Sequence, residues 1–379
     1  MRNRRQRPLS TLSALVCAAL LASCGGGDSG PETTRVVSFG DSLSDLGTYT
    51  IATSQTPGVA PFFGGRFTTN TYTGYTPTTS PLNNTATIWV EFVAARLGVA
   101  ITPAMLGFAT TRIPCPAAAN AALAQSCTAY GQGGSRVTDV NGINHNAGAL
   151  TDPLVTQVAA HLARFTSFSG KDIVFVFAGG NDALFQFDLI ARGSQTPPTA
   201  VTNMQTAASE LVTLIKDQIV AKGATRVAVL NVPDLATTPA FSALPAENKA
   251  VLTQLTTAFN GTLSAGLAGT GVQIIDTQAF FAAVLSQPSA YGFANVTTTA
   301  CDPAKVPAAV GGSSLFCNAS PAALFAASGL PNLNTLRTGA SANTWLFADG
   351  VHPSTGGHKA LSDYVIAKLK EFDWIPVNQ

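Results

Sequence analysis

A serine, a histidine and an aspartate at opposite ends of this chain could together carry out nucleophilic catalysis. Ser42 follows a short apolar run, Val36, Val37 and Phe39, of the kind an interior strand uses, and Gly40 permits the turn that carries the serine out of it. The Ser42 hydroxyl then lies at the mouth of a following helix. Unpaired backbone N–H groups and the positive end of the helix dipole favour an oxyanion there. Serine is a weak nucleophile at neutral pH, so it needs a base within hydrogen-bond reach, and the base needs a group that fixes its tautomer. Of the 4 histidines, His145 falls in an Asn/Gly loop, His161 is expected on a partly exposed helix face, and His358 lies inside the last helix. His352 is the base this leaves, with Asp349 three residues before it across a turn containing Gly350. Taken alone, a Gly-Asp-Ser is common in turns, and an Asp-x-x-His is matched as well by a helix start that the aspartate caps.

Two further blocks change that balance. Gly133-Gly134-Ser135-Arg136 follows Tyr130, and Gly179-Gly180-Asn181-Asp182 closes the apolar run IVFVFA. In this order the four blocks resemble the GDSL family of SGNH hydrolases, from about Arg35 to the C-terminus. The resemblance implies a triad of Ser42, Asp349 and His352. It also implies an oxyanion hole made by the N–H groups of Ser42 and Gly134 and the side chain of Asn181, with no cofactor and no metal. Ala129 stands where the family usually has asparagine, which removes no catalytic group but leaves Gly133 as an alternative to Gly134. Carboxylic ester hydrolysis through an acyl-enzyme on Ser42, as by an esterase or lipase, is the implied activity. Phospholipases, glycerophospholipid acyltransferases and carbohydrate deacetylases in the family use the same site. From a different class, a surface lipoprotein could keep the scaffold for binding alone, against which all five catalytic positions are filled. Neither Gly-x-Ser-x-Gly nor Ser-x-x-Lys occurs, so the other common serine-hydrolase patterns are missing.

The elements that must position these groups alternate. Helical spacing runs from Ile88 to Leu97, where Gly98 stops it, and again from Leu154 to Phe165, with Asp152 as the expected cap and Pro153 in the first turn. Asp172 to Ala178, Arg226 to Val232 and Val272 to Asp276 read as strands. Val201 to Ala221, Ala246 to Leu267, Gln278 to Leu285 and Thr355 to Glu371 read as helices. This alternation predicts an α/β fold, a three-layer α/β/α sandwich on a central parallel sheet, flavodoxin-like in type. Thr50 to Thr87 reads as loop, with Phe62, Phe63, Phe67, Tyr72 and Tyr75 packing it down or lining a pocket. Val99 to Cys127 reads as irregular, and 296–344 as an insertion over the active edge where substrate choice is decided.

Ahead of this, Arg2, Arg4, Arg5 and Arg7 precede an apolar stretch from Leu12 to Leu21, an export signal too short to span a bilayer. Leu21-Ala22-Ser23-Cys24 resembles a bacterial lipobox, with Cys24 as the lipidated first residue of the mature chain and 24–34 as a Gly/Ser-rich tether. The organisation expected is therefore a signal at 1–23, the tether, and one hydrolase domain over 35–379, with insertions near 50–87, 99–128 and 296–344. Without residues 1–23, Lys and Arg fall from 21 to 17 against 20 Asp and Glu, a formal charge of −3. No basic cluster remains for nucleic acid. The expected partners are a small-molecule or lipid ester and, through the N-terminal anchor, a bacterial envelope membrane, for a protein that is otherwise a monomer, or secreted if the lipobox is unused. Cys115, Cys127, Cys301 and Cys317 remain, and local pairing, Cys115 with Cys127 and Cys301 with Cys317, would staple two loops rich in Pro, Ala and Gly in an oxidising compartment. A zinc site is the rival, but there is no CxxC and no histidine beside them.

Overall fold

A computed structural model describes residues 31–55, 62–73, 82–306, 311–326 and 332–377. Residues 1–30, with the signal and Cys24, and Tyr75 lie outside them.

Six parallel strands form the central sheet, in the spatial order Gln273–Ile275, Val227–Leu230, Asp172–Phe177, Arg35–Gly40, Cys127–Ala129 and Thr102–Pro103. The period of two along each strand divides the core. Val37, Phe39, Val174, Val176, Val227 and Val229 face one buried cluster, which takes in residues of the helices Leu154–Phe165, Pro197–Leu214 and Ala246–Leu267. Val36, Ile173, Phe175, Phe177, Ala228 and Leu230 face the other, with the helices Trp89–Arg96, Thr277–Ser286 and Thr355–Glu371. Both faces of the sheet are covered, as a parallel sheet requires. The α/β/α sandwich is the fold that the alternating pattern predicts.

Arg35–Gly40 is the first strand in sequence yet lies inside the sheet. On one side the chain goes first to the edge strand Thr102–Pro103 and returns through Cys127–Ala129, and on the other it runs outward through Asp172–Phe177, Val227–Leu230 and Gln273–Ile275, so the C-terminal end of the first strand is a switch point, where open α/β sheets leave a crevice. At its other end Arg35 grips Asp172 through Nε at 3.1 Å and Nη2 at 2.6 Å, fixing the register of Arg35 opposite Asp172 and hence of Gly40 opposite Phe177. The chain that leads in is fastened at this same end. Lys171 pairs with Glu32 at 2.6 Å, and Arg226 donates to the carbonyls of Pro31 and Glu32 and to the Thr33 hydroxyl.

Several sequence-based expectations need correction. Residues 50–87 carry a helix, Thr50–Gln55, and a small sheet of Phe62–Phe63, Leu82–Asn84 and Tyr72–Thr73, in place of plain loop. Residues 99–127 supply the edge strand Thr102–Pro103 and a hairpin, Met105–Phe108 with Thr111–Pro114. The long helix begins at Pro197, earlier than Val201, and turns from α to π over Ile215–Val220. Asp152 does not cap. Pro153 occupies the cap position with no side-chain bond, while Asp152 binds Arg112 at 2.6 Å and accepts from Gln132 at 3.1 Å.

His161 is fully buried, contrary to the exposed face expected of it. The helix turns it inward onto Phe168, stacked with centroids 4.3 Å apart, and onto Phe39, Tyr130 and Phe165. Neither ring nitrogen has a hydrogen-bond partner among the described residues. Burial, reinforced by the Arg35 charge and only partly offset by the Ser167 backbone, pushes its pKa down to about 3. A depressed histidine is stabilising as the neutral base and costs stability once the unfolded chain can take the proton. Stability should therefore fall as pH drops from about 6.5 towards 3. His161→Phe should lose less over that window and should be more stable than wild type at pH 5, by about 1 to 2 kcal/mol. Urea midpoints at pH 5 and pH 8 measure this, and equal pH dependence in the two proteins would contradict it.

Candidate active site

The turn after the first strand is held by an amide from the neighbouring helix. Gln157 accepts from the Gly40 N–H at 2.9 Å and donates to the Gly40 carbonyl at 2.8 Å. A Cβ on Gly40 would meet the Phe177 carbonyl at 2.5 Å, so the close approach to the next strand needs glycine. Asp41 then caps a single 3-10 turn, Ser42–Ser44, by accepting from the Leu43 N–H at 3.0 Å. Ser42 leads this turn, and no acceptor engages its N–H among the described residues.

His352 reaches Ser42 from the other end of the chain. Its Nε2 lies 2.8 Å from Ser42 Oγ, and its Nδ1 lies 2.9 and 2.8 Å from the two oxygens of Asp349. Asp349 also accepts from the backbone N–H groups of Val351 at 3.0 Å, His352 at 2.8 Å and Ser314 at 2.8 Å. Burial alone would raise this carboxyl. The attraction of His352 and the bonds from His352, Ser314 and Val351 outweigh it and hold the pKa far below the usual carboxylate range. An ionised carboxylate only accepts, so Nδ1 carries the hydrogen and Nε2 is free to accept from the serine hydroxyl. The Phe67 ring covers the imidazole, with centroids 4.8 Å apart.

The glycine block and Asn181 meet beside this triad. The Gly133 N–H is committed to Asp45 Oδ2 at 2.8 Å, and its carbonyl accepts from the Tyr49 hydroxyl at 2.6 Å. Gly134 has φ +84° and a position where a Cβ would sit 2.3 Å from the Ile143 carbonyl, and no described acceptor takes its N–H. Of the two glycines, Gly134 is the one with a donor to spare. Asn181 lies in the first turn of the helix Gly180–Ala191, and its Nδ2 donates one hydrogen to the Ser135 carbonyl at 2.9 Å, leaving the second. Its neighbour Asp182 receives Arg136 Nε and the Val137 N–H, both at 3.2 Å. The helix thus holds residues 135–137 from two sides.

Four residues that position this site were not singled out from the sequence. Asp45, three residues after Ser42, accepts from Gly47, Thr48 and Gly133 and so ties the serine turn to the glycine loop. Its place in the SLSD run was the available signal. Gln157 was a polar residue on the apolar side of an amphipathic helix. Phe67 stood among the aromatics of residues 50–87, without anything to distinguish it. Ser314 contributes a backbone N–H, which no residue type announces.

An apolar recess of about 50 Å³ is lined by Leu43, Phe177, Val232, Leu235, Phe281 and Phe347 among others, and not by Ser42 or His352. Asp41 forms part of its wall. Among the described residues no group of three His, Cys, Asp or Glu could hold a metal ion.

These are the parts of a serine acylhydrolase, on the fold that brings them together. The model of the GDSL-like lipase/acylhydrolase family matches residues 36–365, and the chain belongs to that family. Among curated proteins none matches the sequence. Among solved structures it is similar to a carbohydrate acetylesterase from Sinorhizobium meliloti, at 13% identity, 89% coverage of this chain, 99% of that one and a TM-score of 0.38. It is similar to an aryl esterase of M. smegmatis at 13% identity, 90% and 100% coverage and 0.39. An extracellular lipase from Streptomyces rimosus gives 15% identity, 88% and 99% coverage and 0.39.

Asp41 carries a testable electrostatic signature. Burial pushes its carboxyl up to about 7, with the Leu43 N–H and His352 pulling it down and Asp182 pushing it further up. A raised carboxyl makes the folded chain the better proton binder between about pH 4 and 7, so stability falls as pH rises through that range and levels off above it. Asp41→Asn keeps an oxygen for Leu43 and removes the effect. Its stability relative to wild type should grow between pH 5 and pH 8, by roughly 1 to 4 kcal/mol, in denaturant titrations. A constant difference across that range would refute the assignment.

Proposed function

We propose that the chain is a carboxylic ester hydrolase that works through an acyl-enzyme on Ser42. The hydrogen-bonded line from Asp349 through His352 to Ser42 Oγ, at 2.8 to 2.9 Å throughout, is the observation that carries this reading. His352 Nε2 takes the hydroxyl proton as Oγ adds to the ester carbonyl. The tetrahedral oxyanion accepts from the N–H groups of Ser42 and Gly134 and from the remaining Asn181 hydrogen. Asp349, already ionised, balances the imidazolium. The proton then passes to the departing alcohol oxygen, the C–O bond breaks, and water, deprotonated by His352, releases the acid and frees Ser42.

Export is supported by the two disulfides, Cys115–Cys127 and Cys301–Cys317, with Cα–Cα separations of 5.8 and 5.7 Å. Lipid attachment at Cys24 belongs to the same proposal.

Ser42→Ala should retain the wild-type circular dichroism spectrum and lose at least about 10³-fold in kcat on short aryl esters, and a serine-directed organophosphorus probe should label wild type at residue 42 only. Turnover undiminished by the substitution would end the proposal. Asn181→Ala should lower kcat about 10²- to 10³-fold with little change in KM, as loss of a transition-state donor does. A KM effect alone, with kcat intact, would remove Asn181 from the oxyanion hole.

A further inference from the structure

Asp349 takes most of its hydrogen bonds from its own turn, through Val351 and His352. The remaining donor, the Ser314 N–H at 2.8 Å, comes from 35 residues away in sequence. Ser314 is fully buried at the head of a single 3-10 turn, Ser314–Phe316, whose cap Ser313 accepts from the Leu315 N–H. The Cys317 N–H closes that turn on the Ser314 carbonyl at 3.0 Å.

The partner of Cys317 lies on the other flank of the aspartate. The Cys301 N–H donates to the Ala348 carbonyl at 3.0 Å, and the Ala300 N–H to Phe347 at 2.8 Å, so Cys301 is bonded to the residue just before Asp349. Cys301, Cys317 and Ala348 form a small buried cluster of their own. The disulfide therefore closes a ring around the carboxylate. It passes from Asp349 to Ala348, across to Cys301, through the sulfurs to Cys317, and back by Ser314 to Asp349. Asn70 braces the outer side, its backbone N–H donating to the Cys317 carbonyl at 2.9 Å and its Nδ2 to the Ser314 carbonyl at 2.8 Å. The other bridge, Cys115–Cys127, staples the segment between the hairpin and the strand Cys127–Ala129 and has no hydrogen bond to the triad among the described residues.

We propose that Ser314 is a positioning residue for the reaction, its backbone N–H orienting Asp349, and that the Cys301–Cys317 bridge holds it there, so that full activity requires this disulfide. The inference rests on the esterase reading. Without the bridge, the 3-10 turn keeps the Ser314–Asp349 bond, the two Asn70 bonds and, one residue past Cys317, the bonds between Asn318 and Thr335 at 2.7 and 2.9 Å; these leave it no covalent tie to the Cys301 flank, and the carboxylate loses its fixed orientation towards His352 Nδ1. Reduction by a dithiol supplies two electrons and two protons, converts the bridge to two thiols and leaves the reductant as its own disulfide.

Ser314→Pro tests the donor directly. Position 314 is the first of its turn, where proline fits, and Ser313 at φ −59° and ψ 138° already has the backbone that precedes a proline. On a short aryl ester this variant should lower kcat about 10- to 100-fold with KM within about 2-fold, and Ser314→Ala, which keeps the N–H, should restore most of the rate. The double variant Cys301→Ala/Cys317→Ala should reproduce the kcat loss, whereas Cys115→Ala/Cys127→Ala, folded at the assay temperature, should keep the wild-type rate. In a readout independent of turnover, the low-field proton resonance of His352 Nδ1–H should shift or broaden in the first pair and stay put in the second. Wild-type kcat and resonance in the Cys301/Cys317 double variant overturn the inference, as do equal losses from both cysteine pairs, whether or not Ser314→Pro folds. Turnover in wild type that does not depend on Ser42 instead overturns the esterase reading, and the resonance still decides whether the clasp orients Asp349.

Discussion

The hydrogen bond between His352 Nε2 and Ser42 Oγ joins residues 310 positions apart, and the rest of the molecule can be understood as what makes that contact possible. A bond of this kind tolerates little displacement, because a shift on the order of 1 Å can cost about 10²-fold in rate. The serine end is fixed by a strand inside the sheet, paired along its whole length with Asp172–Phe177, and by Gln157 on the Gly40 peptide. The histidine end is fixed by a four-residue turn whose carboxylate accepts from the N–H groups of Val351, His352 and Ser314 and from the imidazole. Neither end moves without breaking buried hydrogen bonds.

The carboxylates of this site show how environment divides one chemical group into two behaviours. Asp41 and Asp349 are both buried and both lie close to His352. Asp349 gathers backbone donors and the imidazole N–H, and remains charged far into acid. Asp41 has one backbone donor of note, at Leu43, and a second acid nearby in Asp182, so desolvation prevails.

The repeating part of the fold was legible because strand and helix periodicities do not depend on distant contacts. The terminal helix Thr355–Glu371 and the helix Ala246–Leu267 fall where their apolar spacing places them. The four blocks were legible because each sets glycine beside a polar or charged residue. What stayed hidden depends on tertiary partners. His161 looked like a surface histidine because its spacing gives no hint of the aromatic cluster that encloses it. The short strands within residues 50–87 and 99–127 are only two to four residues long, too brief for periodicity to register. Asp152 had the right type for a cap, and Arg112 claimed it instead. The choice between Gly133 and Gly134 turned on Asp45, an acceptor 88 residues away.

The fastening of Glu32 and Arg226 at the entry end of the first strand also sets a direction. That strand runs six residues, about 20 Å, from the fastened end to the nucleophile. Residues 31–33 therefore join the body at the end of that strand opposite the crevice, so the two ends of one short strand separate where the chain is anchored into the sheet from where the site opens.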